Sequence, residues 1–134
     1  MMKVSPRIQI VISVICFCGF CALIYLNSIG VIKELKKNGK VIQGKIIGVS
    51  QYYKTRSSVI IEFEYKSKKY CITKPTYCFK PKDSVQINNL TVEVFCDTIN
   101  PNKSVGLLSR NDYDQFKLYY SKYVNAIEKL KKCN

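Results

Sequence analysis

Hydrophobic positions along this chain fall into three regimes: one unbroken run, then alternation, then a helical stripe. Residues 8–32 carry no charge, and eleven of the nineteen side chains in residues 8–26 are Ile, Val, Leu or Phe. Nineteen helical residues extend about 28 Å, close to a bilayer's hydrocarbon thickness of about 30 Å. At about −0.3 to −0.6 kcal/mol each, the eleven supply very roughly −3 to −7 kcal/mol of insertion free energy. Gln9 and Ser13 reduce that total without reversing it. The run predicts one transmembrane helix over residues 8–32, behind a basic leader, residues 1–7. A buried core helix is the poorer reading, since the rest of the chain offers no equally apolar partner. A cleaved signal peptide competes, with Lys3 and Arg7 as its basic region, but the apolar run exceeds the usual 7–15 or so residues. Cys16, Cys18 and Cys21 are apolar filler within the span.

Residues 33–39 form a juxtamembrane linker that ends on the turn signal Asn38-Gly39. The period then drops to two. Val41, Ile42, Ile46, Ile47 and Val49 predict a strand over residues 40–53, with Gly44 and Gly48 on one face as marks of a bulge or sharp bend. Residues 58–65 alternate cleanly, with Ile61, Phe63 and Tyr65 opposite Glu62 and Glu64. Residues 66–69 make a hairpin turn into a strand that starts at Tyr70. Pro75 and Pro81 restrict residues 73–84 to an ordered loop or an edge. Val92, Val94 and Cys96 share one face of a strand over residues 91–96, and residues 104–108 add a short one. The prediction for residues 40–108 is a small all-β domain, an antiparallel barrel or sandwich.

In residues 109–134 the period returns to that of a helix. Ser109 and Asp112 fit a capping box, and Tyr113, Phe116, Tyr120, Tyr123, Ile127 and Leu130 recur every three or four residues. This predicts one amphipathic C-terminal helix. Its stripe either packs on the β-domain or faces a partner or the membrane surface.

Charge narrows the partners. Twenty-two Lys and Arg against nine Asp and Glu give +13 in 134 residues. For a tethered domain the nearest polyanion is anionic lipid, worth about 1 kcal/mol per nearby Lys or Arg. No basic recognition helix, zinc knuckle or aromatic RNA-binding motif supports nucleic acid. The absence of His removes the commonest general base and imidazole ligand. Cys71 and Cys78 lack zinc-site spacing; in an oxidising compartment they are one disulfide that the spacing allows. Glu62, Glu64 and Asp97 are the acidic candidates for catalysis. Carboxylates at i, i+2 are as common on solvated strand faces, and no phosphate loop or nucleophile elbow accompanies them. No catalytic, cofactor or metal site and no small-molecule substrate is expected.

Three segments carry a family likeness: residues 41–49 (VIQGKIIGV), 65–70 (YKSKKY) and 92–101 (VEVFCDTINP). They resemble the opening strand, the Y-x-x-G-K-x-Y hairpin and the V-x-V-x-Y-D-P-x-N-P ending of the DUF3592 family, small bacterial membrane-tethered domains of unknown function. The likeness covers about half the chain. The hairpin glycine is missing, Cys96 stands where Tyr is usual, and Thr98 replaces the first proline. The resemblance implies a membrane-tethered β-domain and carries over no catalytic residue. In the last motif Pro101 holds Asn100 extended and Asp97 can accept backbone N–H groups in an Asx-turn, a structural chain reversal.

The sequence therefore predicts a single-pass, membrane-anchored small β-domain at the bacterial envelope, acting as a non-catalytic binding or adaptor protein. Its partners would be the bilayer and a protein held by the Tyr-rich helix or a sheet edge. The alternatives are an immunity protein that neutralises a toxin at the membrane, and an envelope structural protein associated with anionic lipid. Lys3 and Arg7 favour a cytoplasmic N-terminus and an extracytoplasmic domain, against the pull of Lys33, Lys36, Lys37 and Lys40.

Overall fold

The computed structural model describes residues 6–53, 56–76 and 79–130. They divide into two compact units, Met1–Glu34 and Leu35–Asn134. The first unit is most of helix α1 (Pro6–Asn38). Its Phe17 and Leu26 are 68% and 64% exposed, and none of its most apolar 18-residue window is buried. That excludes the buried core helix for this chain. What remains is a helix long and apolar enough to cross a membrane, whose apolar window is not buried among the described residues.

The second unit is a five-stranded antiparallel sheet with strand order β3-β2-β1-β4-β5. The strands are β1 (Gly39–Tyr53), β2 (Arg56–Tyr65), β3 (Lys68–Thr76), β4 (Thr91–Asp97) and β5 (Val105–Leu107). β1 is the spine. Its first half pairs with β4, Gly39 opposite Asp97, and its second half with β2, Gly44 opposite Phe63. A one-residue bulge between Ile46 and Gly48 reconciles the two halves. It puts both Ile46 and Val49 on the inner face and turns Ile47 outward. The same slip moves Gly48 to the face opposite Gly44, which corrects the shared face expected from i, i+4 spacing.

The sheet curls into a half-barrel. Gly106 on β5 shows how close the far edges come: a Cβ there would lie 2.3 Å from Ile61 Cδ1 and 3.8 Å from Lys74 Cβ on β3. Only glycine allows that approach without a shift. Inside the curl, Ile46, Val59, Ile61, Phe63, Ile72, Val92 and Val94 are buried together. Phe79 and Ile87 join them from the β3–β4 connection, which runs through a 3-10 turn (Pro81–Asp83) and the one-turn helix α2 (Ser84–Ile87). Pro75 sits near the end of edge strand β3, opposite Ser58, where a missing N–H is tolerated.

β4 is buried on both faces. Val92, Val94 and Cys96 enter the core, while Glu93 and Phe95 face the C-terminal segment. That segment departs from the single helix expected over residues 109–134. It forms α3 (Arg110–Phe116) and α4 (Lys122–Leu130), separated by Lys117 in the left-handed region at φ 56°. The break has a packing cause. Phe116 sits on Phe95 with ring centroids 4.5 Å apart, and Ser121 Oγ returns to within 2.9 Å of the Tyr113 hydroxyl. A straight helix would carry Ser121 past that hydroxyl, since residues eight apart lie about 12 Å apart along its axis.

Candidate interaction surface

The predicted stripe divides. Tyr113, Phe116 and Ile127 are buried against the domain, Tyr123 is half-buried, and Tyr120 and Leu130 are exposed. Burying two aromatic side chains stabilises docking by roughly 3–6 kcal/mol, so the first half of the stripe is consumed within the chain. The Tyr113 hydroxyl donates to Glu93 Oε2 at 2.8 Å. Burial beside that carboxylate pushes the Tyr113 pKa well above the ordinary tyrosine value, opposed by the Ser121 hydrogen bond. Tyr123 accepts from Gln43 Nε2 at 3.0 Å and fixes α4 to β1.

The chain-reversal motif forms, with Asn100 at φ −130° and ψ 86°, short of the extended geometry expected before Pro101. Asp97 Oδ1 accepts the N–H groups of Ile99 and Asn100 at 2.9 and 3.0 Å, and Ser104 Oγ accepts from Asp97 N at 3.0 Å. Pro101 then opens a 3-10 turn, Pro101–Lys103. Thr98 adds a function the sequence did not show. Its N–H and hydroxyl both donate to the Asn38 carbonyl, at 3.2 and 2.7 Å, and so cap the end of α1. With Asp97 committed to backbone and Thr98 to the helix end, the motif is a fastening.

A second fastening rests on Asp112. Its Oδ2 accepts from Leu108 N, Ser109 N and Ser109 Oγ, all at 3.0 Å, and its Oδ1 receives Lys74 Nζ from β3 at 2.5 Å. The Ser-x-x-Asp spacing announced the capping box. Lys74 lies 38 residues away, and nothing in its neighbourhood announced the ion pair. Of the cysteines, Cys71 is exposed on β3 and Cys96 is buried, its thiol pushed up in pKa chiefly by burial. Cys78 lies outside the described residues, and the Cys71–Cys78 pairing with it.

What stays open is the outer face of β1, β2 and β3. Register aligns Lys69 with Glu64, Cys71 with Glu62, Glu62 with Lys45, and Lys45 with Thr91. A shallow depression of about 240 Å³ runs across these rows, lined by Gln43, Gly44, Lys45, Glu62, Phe63, Glu64, Lys69 and Thr91. Lys69 Nζ reaches Glu62 Oε1 at 3.4 Å; with the Lys69 side chain 71% exposed, the pair contributes less than about 1 kcal/mol. Two carboxylates and two ammonium groups make this a locally balanced patch on a chain of net +13. Beside it β3 presents a strand edge guarded by Lys68 and Lys69, the usual defence against unwanted pairing. Among the described residues, no group of three or more Cys, Asp and Glu side chains is placed to hold a metal ion.

Comparison with family models, curated proteins and solved structures finds no match to this chain.

Proposed function

We propose that this protein is a single-pass membrane-anchored binding protein of the bacterial envelope, a divergent relative of the DUF3592 domains, that performs no catalysis. The observation that carries the reading is α1. Its apolar side chains have no cover among the described residues, and leaving them in water would cost on the order of 10 kcal/mol. The membrane supplies that cover. Lys3 and Arg7 keep the N-terminus cytoplasmic, and the β-domain lies on the other side.

The acidic candidates support a binding role over a catalytic one. Asp97 is held by two backbone N–H groups, and Glu62 pairs with Lys69 beside open solvent. With Tyr113, Phe116 and Ile127 packed inward, the charged outer face of β1–β3 and the β3 edge offer the surface for a protein partner. A partner matching alternating Glu and Lys rows would be mixed in charge. Photocrosslinking in intact cells tests this: a crosslinking residue at Lys45 on the open face should give one dominant protein adduct, and one at Arg110 should give none. Equal labelling from both positions, or none from Lys45, would refute the assignment of the face.

A further inference from the structure

Among the described residues of the domain, the most exposed large apolar side chains are Tyr119 at 97%, Val85 at 87% and Ile99 at 75%. Two of these three sit at one end of the sheet. Ile99 belongs to the turn after Asp97, which is paired with Gly39 and tied through Thr98 to Asn38. Tyr119 follows Phe116 by three residues, and Phe116 packs tilted on Phe95, whose ring would lie 2.4 Å from a Cβ at Gly39. Ile99 therefore lies where β1 begins, and the loop that carries Tyr119 leaves from Phe116 beside it. Val85, on α2, lies toward the opposite end, where Leu90 bonds to Ile46.

The charges at the Gly39 end are unbalanced. Lys36, Lys37, Lys40, Lys103 and Lys117 are all exposed. Fewer carboxylates stand near them: Glu34, Asp97, which accepts the backbone N–H groups of its turn, and Asp114, which accepts from the Tyr120 hydroxyl at 2.6 Å, so the balance stays positive. Exposed Tyr and Ile among lysines is the composition of an interfacial surface: apolar groups enter the headgroup region and ammonium groups meet lipid phosphate. Chain length keeps this end near the bilayer. Asn38 follows Ile32 by six residues of α1, about 9 Å of helix.

We propose that the end of the domain bearing Ile99 and Tyr119 rests on the anionic headgroup surface of the membrane that anchors the chain. The loop through Tyr119 and the turn through Ile99 enter the interface, and the five lysines make the contact depend on anionic lipid. This rests on the proposed tether. It is distinct from the protein-binding face, which lies on the outer side of β1–β3.

The chain contains no tryptophan, so a single Trp is a clean reporter. Full-length Y119W and V85W are reconstituted separately into phosphatidylcholine vesicles, with and without phosphatidylglycerol, and bromolipid quenching is measured. With phosphatidylglycerol, Y119W should be quenched about twofold more than V85W, and 0.5 M salt should remove most of the difference. Adding K36Q, K37Q and K103Q should bring Y119W down to the V85W level. Equal quenching of Y119W and V85W would overturn the docking face. A blue-shifted Y119W without bromolipid quenching would also overturn it, showing burial against another copy of the chain. Retention in vesicles at pH 11 is read in parallel. Loss of the chain there overturns the tether, whereas retention with an unquenched Y119W overturns the docking alone.

Discussion

Replacing Asp112 with alanine should be among the most damaging single changes outside the hydrophobic core. The carboxylate receives four donors: Leu108 N, Ser109 N, Ser109 Oγ and Lys74 Nζ. Loss of the capping box alone costs about 0.5–2 kcal/mol. Breaking a buried ion pair by removing one partner costs about 3–5 kcal/mol. Lys74 keeps 23% of its side-chain surface exposed and regains some hydration, which moves the total toward the lower end, about 3 kcal/mol for D112A. K74M should cost only about 1 kcal/mol, because Asp112 keeps three donors. In the double variant neither charge is stranded, so its destabilisation should fall short of the sum by about 1 kcal/mol. The assay is thermal unfolding of the full chain in detergent, followed by near-UV circular dichroism of the tyrosines. For a domain of this size about 3 kcal/mol corresponds to a fall in Tm of roughly 12–24 °C. A D112A melt within a few degrees of wild type, or strict additivity with K74M, would refute the role given to this carboxylate.

Three further outcomes follow from single features. The β2–β3 hairpin turns through Lys66 and Ser67, at φ 51° and 61°; K66N/S67G supplies the residues a type I′ turn favours and should raise domain stability by about 1–2 kcal/mol, read in the same melt. Because the folded pKa of Tyr113 is raised, its contribution is complete below the unfolded value of about 10 and is lost as pH rises beyond it. Stability should therefore fall above about pH 10, and Y113F should flatten that part of the profile in melts at stepped pH. In variants retaining one cysteine of the domain, Cys71 should react with maleimide in the native state and Cys96 only after denaturation, checked by mass spectrometry.

The local signals were legible because short-range physics sets them. Alternation located β2 and β4, the Asp-x-x-Asn-Pro turn formed on its own residues, and Ser109 and Asp112 made the predicted box. The long-range choices left no local trace. Tyr113 to Leu130 has one continuous helical period, yet the chain breaks at Lys117 because Phe116 seats on Phe95 and Ser121 returns to Tyr113. Gly44 and Gly48 have the spacing of one strand face, but the bulge at Ile47 separates them. Lys74 reads as one more surface lysine in a basic chain, and only the curl of β3 toward β5 brings it to Asp112. The open face of β1–β3 was half visible: Glu62 and Glu64 were seen as a pair, while Lys45 and Lys69 join them only through register.

Anchoring by residues 8–32 is the claim on which the functional account depends, and alkaline extraction of membranes from cells making the full chain tests it most directly. The account predicts that the chain stays in the membrane pellet at pH 11 with an intact mass that still includes residues 8–32. Release into the supernatant, or recovery of a shorter chain that has lost those residues, would contradict it.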